Sequence, residues 1–257
     1  MRSSRLSAVW RAVVPPVVFG VLLIAAWQAF VVGAQIKPFL LPAPSAIWQM
    51  IHQNPGLIWR ASLVTGGNAL VGLIAGALVA VVLAAVAAAV RVIDHLSAPI
   101  VAAIAVLPIV AVAPVLYTMF GAGSQLPRQI VAGIAAFAPV FLNTLRGLRQ
   151  VRPIHRELMT AYAATPWQAT RAVTLPGALP HLFSGVNVAA SLAVISALVA
   201  EYFGGPQTGL GSLITSAAAN SGYAAAWAYV VGAIIVGLVF YLATLGLERA
   251  VSRGRVA

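Results

Sequence analysis

Long apolar stretches separated by short polar ones divide this chain into six segments of membrane-spanning length. An α-helix needs about 20 predominantly apolar residues to cross the hydrocarbon core of a bilayer, which is roughly 30 Å thick. The pattern therefore predicts an all-α, polytopic membrane protein with six transmembrane helices, forming one domain over residues 1–257. The predicted spans are Val13–Val32, Leu63–Val90, Ala98–Phe120, Gln129–Leu145, Leu182–Phe203 and Ala225–Leu247.

The first apolar stretch follows three arginines, a pattern that secretory signal peptides share. A signal peptide would carry a small-residue cleavage site followed by a soluble mature chain, and the sequence shows no such arrangement. Val13–Val32 is also long enough to cross the bilayer. We therefore expect an N-terminal helix over residues 13–32 that is retained as the first span.

A polar interruption, Arg146–Pro180, separates the fourth and fifth predicted spans. It carries five arginines, and its prolines divide it into two short helices. Thr165 and Pro166 are typical N-cap and first residues of the second of these helices, which we expect to end at Leu175-Pro176. Trp167 is a candidate apolar anchor there. Such a pair of helices suits docking into a groove on a soluble partner, and a membrane-surface amphipathic loop is the alternative.

The composition excludes a soluble globular domain. The chain is 61% hydrophobic and only 7% charged, whereas a soluble domain carries about 25% charged residues. It has no cysteine, so it forms neither disulfides nor thiolate metal sites.

The positive charges predict the orientation of the spans, because lysine and arginine accumulate in cytoplasmic loops. If the N-terminus is cytoplasmic, twelve of the fifteen basic residues fall on the cytoplasmic side and three on the outer side. Both termini and the Arg146–Pro180 loop are then cytoplasmic. The three outer residues are Lys37, Arg60 and Arg128. The net charge of +11 thus indicates topology signals rather than nucleic-acid binding.

The sequence lacks the residues that enzymatic or ATPase chemistry requires. A P-loop needs a lysine after glycine to reach the β- and γ-phosphates, and the one lysine, Lys37, follows Ile36. The four histidines fall in separate loops without a third ligand at metal spacing. We therefore expect no enzyme, no metal site and no cofactor on this chain, with ATP and magnesium bound elsewhere.

A second group of residues is a candidate lining for a transport pathway. Pro108 and Pro114 interrupt the hydrogen bonds of the third span, which indicates either a packing bend or a lining role. Glu201 lies near the outer end of the fifth span, where it either gates a pathway or, as a helix-end carboxylate, bonds the Gly204–Gly205 backbone or a partner subunit. Polar side chains within the spans are further candidates, although they also suit bonds between helices: Asn143, Asn187, Ser191 and Ser196.

The interruption between the fourth and fifth spans resembles the EAA loop of the membrane subunits of bacterial binding-protein-dependent ATP-binding-cassette importers. In that family the pattern is E-A-A, three residues, G, nine residues, I-x-L-P. Here Glu157-Leu158-Met159 stand at E-A-A, Ala163 at the glycine, and Val173-x-Leu175-Pro176 at I-x-L-P. The spacing is kept, and alanine replaces the glycine of the turn. The segments FLLPAPSAIW, WQATRAVTLPGALPHLFSGV and LVAEYFGGPQTGLGSLI resemble permeases of the nitrate, sulfonate and taurine group.

This resemblance implies a permease subunit in a bacterial inner membrane that takes up a small polar solute by alternating access. Its implied partners are a dimer of cytoplasmic ATP-binding subunits, a second copy or sister permease, and an extracytoplasmic solute-binding protein. Related permeases import pyrimidines, thiamine precursors and riboflavin. An ion-coupled carrier or channel is the alternative. The implied coupling residues are Glu157, Leu158, Met159, Ala163, Thr165, Pro166, Trp167, Val173, Leu175 and Pro176.

Overall fold

A computed structural model describes residues 2–253, and the side chains among them except those of residues 2–13, 110, 252 and 253. This part of the chain is helical, without a strand. A π-helical segment, Thr170–Thr174, lies between the eighth and ninth α-helices. The α-helices are α1 (Arg2–Gly33), α2 (Pro44–Gln53), α3 (Pro55–Ala89), α4 (Arg91–Ala105), α5 (Ile109–Phe120), α6 (Leu126–Arg149), α7 (Pro153–Ala161), α8 (Pro166–Ala169), α9 (Leu175–Tyr202), α10 (Leu210–Ala219) and α11 (Tyr223–Arg253).

Five helical stretches within the described residues are long and apolar enough to cross a membrane. They confirm the prediction of an all-helical, polytopic membrane protein. Most of them extend beyond the predicted spans, because their ends continue into polar residues that hydropathy leaves out. The stretches are Val14–Gly33, Pro55–Ala89, Leu126–Arg149, Pro166–Tyr202 and Tyr223–Val251.

The predicted third span, Ala98–Phe120, is not one continuous helix. It is divided into the end of α4 and all of α5 by a break at residues 106–108. Pro108 has no N–H to donate and disfavours helical geometry at Leu107. The N–H of Leu107 instead closes a tight turn on the carbonyl of Ile104, at 3.2 Å.

The centre of the fold is built from α3, α6 and α9, which pack closely because their facing residues are small. Alanines dominate the buried core on these helices. The closest approach is between α3 and α6, where a Cβ atom added to Gly76 would lie 2.3 Å from the carbonyl oxygen of Gly133. Such small-residue crossings let membrane helices gain dispersion energy from backbone contact.

The contacts between helices define two ends of the bundle. We call one the Glu201 end, where Thr65 of α3 and Arg128 of α6 meet Glu201. We call the other the Arg149 end, where Arg149 pairs with Asp94 of α4. Since α6 and α9 run in opposite directions, the residues that join them lie at the Arg149 end.

Helices α1 and α11 lie outside this centre. Thr244 of α11 donates a hydrogen bond to the side chain of Asn187 on α9, at 2.9 Å. The described part of α1 is mostly exposed, and it contacts the rest of the protein near its C-terminal end. There the side chain of Gln28 pairs with Ser45 of α2, and Trp27 meets Trp227 edge to face at 5.4 Å.

Candidate functional site

Residues 150–174 join α6 to α9 and form a compact helix–turn–helix at the Arg149 end; we call them the connecting segment. Its first helix, α7, starts with Pro153 after an extended Arg152 and ends at Ala161, with Tyr162 as its C-cap. The turn that follows is closed by the N–H of Ala164, which donates to the carbonyl of Met159 at 2.9 Å. This bond is typical of a helix C-terminus closed by a left-handed residue.

Ala163 is that left-handed residue, with a φ of 49°. It stands at the position where the EAA pattern has glycine. Left-handed backbone disfavours a side chain with a Cβ atom by about 1–2 kcal/mol. The turn thus forms at the position that the pattern predicts, but with alanine in place of glycine the backbone at residue 163 is locally strained.

The second helix of the connecting segment begins as the sequence predicts. Thr165 is the N-cap of α8 and Pro166 its first residue. The Thr165 hydroxyl accepts a hydrogen bond from the N–H of Gln168 at 3.3 Å, and the Gln168 side chain accepts one from the N–H of Thr165 at 2.7 Å. This reciprocal capping box satisfies two N–H groups that the first turn leaves free.

The end of this second helix differs from the prediction. The helix does not end at Leu175-Pro176. It continues from α8 through the π-helical segment into α9, and Pro180 lies inside α9. In the π turn the N–H of Leu175 donates to the carbonyl of Thr170, five residues earlier. We attribute the π turn to Pro176, whose missing N–H removes an α-helical bond at this point. The predicted loop Arg146–Pro180 is therefore shorter, and α8 is continuous with a membrane-length helix.

The candidate coupling side chains fall into two groups. Leu158 and Trp167 are 47% and 66% exposed, and Glu157 is exposed on the same helix as Leu158. Met159 and Val173 instead line a cleft of about 290 Å³ between the two short helices and the end of α6. The first group forms an exposed surface that is both charged and apolar, whereas the second faces the cleft.

A buried charged network lies at the opposite end of the bundle. Glu201 is 1% exposed, and its carboxylate accepts hydrogen bonds from the Thr65 hydroxyl and from the N–H of Gly211 at 2.8 Å. The Thr65 oxygen accepts in turn from the N–H of Leu210 at 2.9 Å. Arg128 lies 3.8 Å from the carboxylate, so the two charges offset each other within the apolar protein.

Arg128 is fully buried, and its donors are directed to four different acceptors. Its Nε donates to the Tyr117 hydroxyl at 3.0 Å, and its Nη1 donates to the side chain of Gln125 at 2.9 Å. Its Nη2 donates to the carbonyls of Gly204, at 3.3 Å, and Pro206, at 2.6 Å. The pair thus ties α3, α5, α6 and α9 to the segment that leads into α10.

Sequence reasoning missed Arg128 as a member of this site. The charge pattern predicts that Arg128 lies in an outer loop, whereas it lies in α6 and is 0% exposed. One signal was available: Arg128 and Glu201 are single opposite charges, each at the outer end of a predicted apolar stretch. Opposite charges at matching depths of neighbouring spans favour pairing.

Several pathway candidates make bonds within or between helices. The Asn143 side chain donates to the carbonyl of Pro139 at 2.8 Å. The Asn187 side chain accepts from Thr244 of α11. Ser191 is half-buried and Ser196 is buried, both on α9.

The remaining pathway candidates lie apart from one another. Pro108 and Pro114 are exposed, at the start of α5 and within it. Glu201 is buried as part of the charged network with Arg128 and Thr65. Among the described residues, no group of three or more His, Cys, Asp or Glu side chains is placed to hold a metal ion.

An apolar groove lies between α3, the break before α5, and α6. It has a volume of about 690 Å³ and is lined by Ile104, Leu107 and Phe137 among others. Phe137 stacks on Phe141 with ring centroids 5.7 Å apart. Among the described residues that line the groove, Gln129 carries the one polar side chain, and its amide donates to Asn68 at 3.1 Å.

These features together define a helical membrane protein with an exposed helix–turn–helix between two of its membrane-length helices. Residues 72–256 match the family described as "Binding-protein-dependent transport system inner membrane component". The match covers most of the chain, which therefore belongs to this family. The protein is the permease subunit of an ATP-binding-cassette importer and a multi-pass protein of the inner membrane.

Curated relatives of this chain agree with the family. The riboflavin transport system permease protein of Chloroflexus aurantiacus is 34% identical over 81% of this chain and 77% of its own length. The formylaminopyrimidine transport permease protein of Halalkalibacterium halodurans is 27% identical over 76% and 78%. The taurine transport system permease protein of Escherichia coli is 23% identical over 90% and 85%.

Proposed function

We propose that this chain pairs with a second permease, either an identical copy or a sister subunit, and that its connecting segment docks on a cytoplasmic ATP-binding subunit. The observation that carries the proposal is the exposure of Leu158 and Trp167 on two short helices between membrane-length α6 and α9. These exposed apolar side chains and the exposed carboxylate of Glu157 form a small surface suited to a groove on a soluble partner.

The Arg149 end is the cytoplasmic end in this proposal, and both termini lie on that side. Support comes from the loop charges, because the burial of Arg128 leaves Lys37 and Arg60 as the basic residues near the Glu201 end. In this topology the chain crosses the membrane six times, and α4 and α5 together make the third crossing, which is interrupted at residues 106–108. Basic residues at the Arg149 end include Arg91, Arg146, Arg149, Arg152, Arg156, Arg171 and Arg249.

The continuity of α8 with α9 supports a mechanism for coupling. A displacement of the connecting segment by an ATP-binding subunit acts directly on α9, because no flexible loop lies between them. Helix α9 reaches Glu201 at the other end of the bundle. ATP binding thus drives alternating access by moving α9 relative to α6, with substrate delivered to the Glu201 end by a solute-binding protein.

We propose a flat nitrogen heterocycle as the substrate class, with riboflavin and thiamine-precursor pyrimidines as examples. Two relatives with 34% and 27% identity are named for such compounds. The apolar groove beside Phe137, with one amide at Gln129, favours an aromatic ring over a compact anion. A sulfonate such as taurine is the second candidate, since the relative named for it aligns over 90% of this chain.

Co-purification tests the proposed coupling. The tagged chain, extracted in mild detergent from its native membranes, should retain a chain with a P-loop and show vanadate-sensitive hydrolysis of Mg-ATP. Uptake should stop when ATP is depleted with the ion gradients intact. Recovery without any ATP-binding chain, with uptake that follows the ion gradient, would favour the ion-coupled alternative.

Competition tests the substrate class. Vesicles containing the complex and its binding protein should accumulate radiolabelled riboflavin or formylaminopyrimidine, and taurine in excess should not reduce this uptake. Uptake of radiolabelled taurine that riboflavin does not inhibit would contradict the heterocycle assignment and leave the coupling proposal intact.

The turn at Ala163 provides a graded test of the connecting segment. Ala163→Gly relieves the left-handed strain and should leave ATPase retention unchanged or higher. Ala163→Val should lower it several-fold, because a β-branched side chain at positive φ is a genuine outlier. The measurement is the ATPase activity that co-purifies per tagged chain. Equal retention by the glycine and valine variants would contradict a requirement for this turn.

A further inference from the structure

Helix α5 is attached to the rest of the protein by few buried contacts. Its buried described side chains are Ala113 and Tyr117. Ala113 packs in a small apolar cluster with Val131 of α6 and Ala200 of α9, against which the half-buried Ile109 and Leu116 of α5 also pack. A helix with so little buried apolar area gains little from packing, so a single polar contact contributes a large share of its attachment.

Few helical hydrogen bonds hold the backbone at the start of α5. The break at residues 106–108 separates it from α4, and Pro108 cannot donate a helical hydrogen bond. Pro114, inside α5, removes another. Two missing bonds within seven residues make this the natural hinge between α4 and α5, because bending there breaks few further hydrogen bonds.

Tyr117 makes the polar contact that secures the far end of α5. Its hydroxyl accepts from Arg128 Nε at 3.0 Å and donates to the carbonyl of Ala200 at 3.3 Å. Its ring lies against residues 204–205, where a Cβ atom added to Gly205 would lie 2.8 Å from the hydroxyl. Gly205 has a φ of 88°, so the sequence there suits this close approach.

The Arg128–Glu201 pair, which Tyr117 contacts, is held in place by further hydrogen bonds. Arg128 and Glu201 are buried; Arg128 donates to carbonyls of the segment between α9 and α10, and Glu201 accepts from the N–H of Gly211 in the first turn of α10. Releasing either charge would leave the other unpaired in an apolar interior, which is strongly unfavourable. Opening the Tyr117 contact breaks the two hydrogen bonds of a neutral hydroxyl and leaves the Arg128–Glu201 pair intact, so it costs less free energy than separating the two charges.

We propose that Tyr117 latches α5 to the buried Arg128–Glu201 pair, and that α5 swings about residues 106–108 when this latch opens. The inference rests on the proposed transport function, to which it adds a moving element. Ile104 at the end of α4 and Leu107 of the break line the apolar groove, so a swing of α5 changes the access to that groove.

Thiol labelling measures the opening directly, since the chain has no native cysteine. Ala113→Cys places a thiol in the buried contact between α5 and its neighbours, where labelling requires α5 to move away. Ala189→Cys, equally buried on α9, reports general loosening instead. Both are labelled with N-ethylmaleimide in the intact complex, without nucleotide and with ATP plus vanadate.

Tyr117→Phe removes the hydroxyl and keeps the ring. Without nucleotide it should raise the labelling rate at position 113 by at least about fivefold, because the hydroxyl makes two hydrogen bonds and one of them is with a charged group. The rate at position 189 should not change. Tyr241→Phe, an exposed tyrosine on α11, is the matched control and should leave both rates unchanged. Pro108→Ala, which restores a donor at the hinge, should lower the nucleotide-induced change at position 113.

The outcomes separate the latch from the transport proposal. Equal rates at position 113 with and without the Tyr117 hydroxyl, or an equal rise at position 189, would overturn the latch. An effect of Tyr117→Phe together with no response to ATP and vanadate would support the latch and count against coupling to ATP hydrolysis. A nucleotide response without an effect of Tyr117→Phe would show movement that this latch does not control.

Discussion

Glu157→Lys should abolish ATP-driven uptake while the chain still inserts and folds. Glu157 is exposed on α7, so its replacement removes no internal packing. In the proposed complex it faces a basic residue of the ATP-binding subunit, and disrupting such an interfacial charge pair costs about 2–5 kcal/mol. The loss corresponds to a factor of at least about 30 in affinity. The measurements are uptake and the ATPase activity retained by the tagged chain.

Gln53→Lys is the matched control, because it adds a lysine at an exposed position at the end of α2, outside the connecting segment. It should leave uptake and ATPase retention near the unmodified values. Glu157→Gln should fall between the two, since it keeps the size of the side chain and removes only the charge. Unchanged uptake by Glu157→Lys at equal membrane levels would rule out the docking role of this residue.

Gly76→Val should prevent the protein from folding into its compact bundle. The first added atom would lie 2.3 Å from the Gly133 carbonyl oxygen, and backbone cannot move aside as a flexible side chain can. Separating α3 from α6 at their closest contact also opens the core that both share with α9. We expect a loss of about 3 kcal/mol or more, at the upper end for overpacked sites.

The control for this substitution is on the same helix. A Cβ atom added to Gly67 meets nothing within 4 Å, so Gly67→Val carries the same change in helix propensity without a collision. It should give a monodisperse protein in mild detergent with a nearly unchanged unfolding midpoint, whereas Gly76→Val should aggregate. Similar midpoints for the two variants would contradict the tight α3–α6 crossing.

The sequence predicts the membrane-length helices well because hydropathy is a strong and local signal. It also predicts the start of α8, since the capping box of Thr165 and Gln168 depends on neighbouring residues alone. The third span was predicted as one helix, although Pro108 and Pro114 mark the weak points. Whether a proline bends a helix or ends it depends on the neighbours that satisfy the freed carbonyls, and sequence does not specify these neighbours.

The charged network shows why part of the site escapes sequence reasoning. Arg128 and Glu201 are separated by 73 residues along the chain, so their pairing exists only once α6 and α9 pack together. The end of α8 was likewise predicted at Leu175-Pro176, because proline usually ends a helix. The π turn, which we attribute to the missing N–H of Pro176, instead carries the helix past this point.

Cross-linking from position 158 tests most directly whether energy reaches this permease through the connecting segment. Leu158→Cys and Trp48→Cys each provide one thiol at an exposed position, on α7 and on α2, and each is modified with a benzophenone maleimide. After illumination of native membranes, the proposed docking predicts a covalent product with an ATP-binding subunit from position 158 and none from position 48. No such product from position 158, or equal yields from both positions, would contradict it.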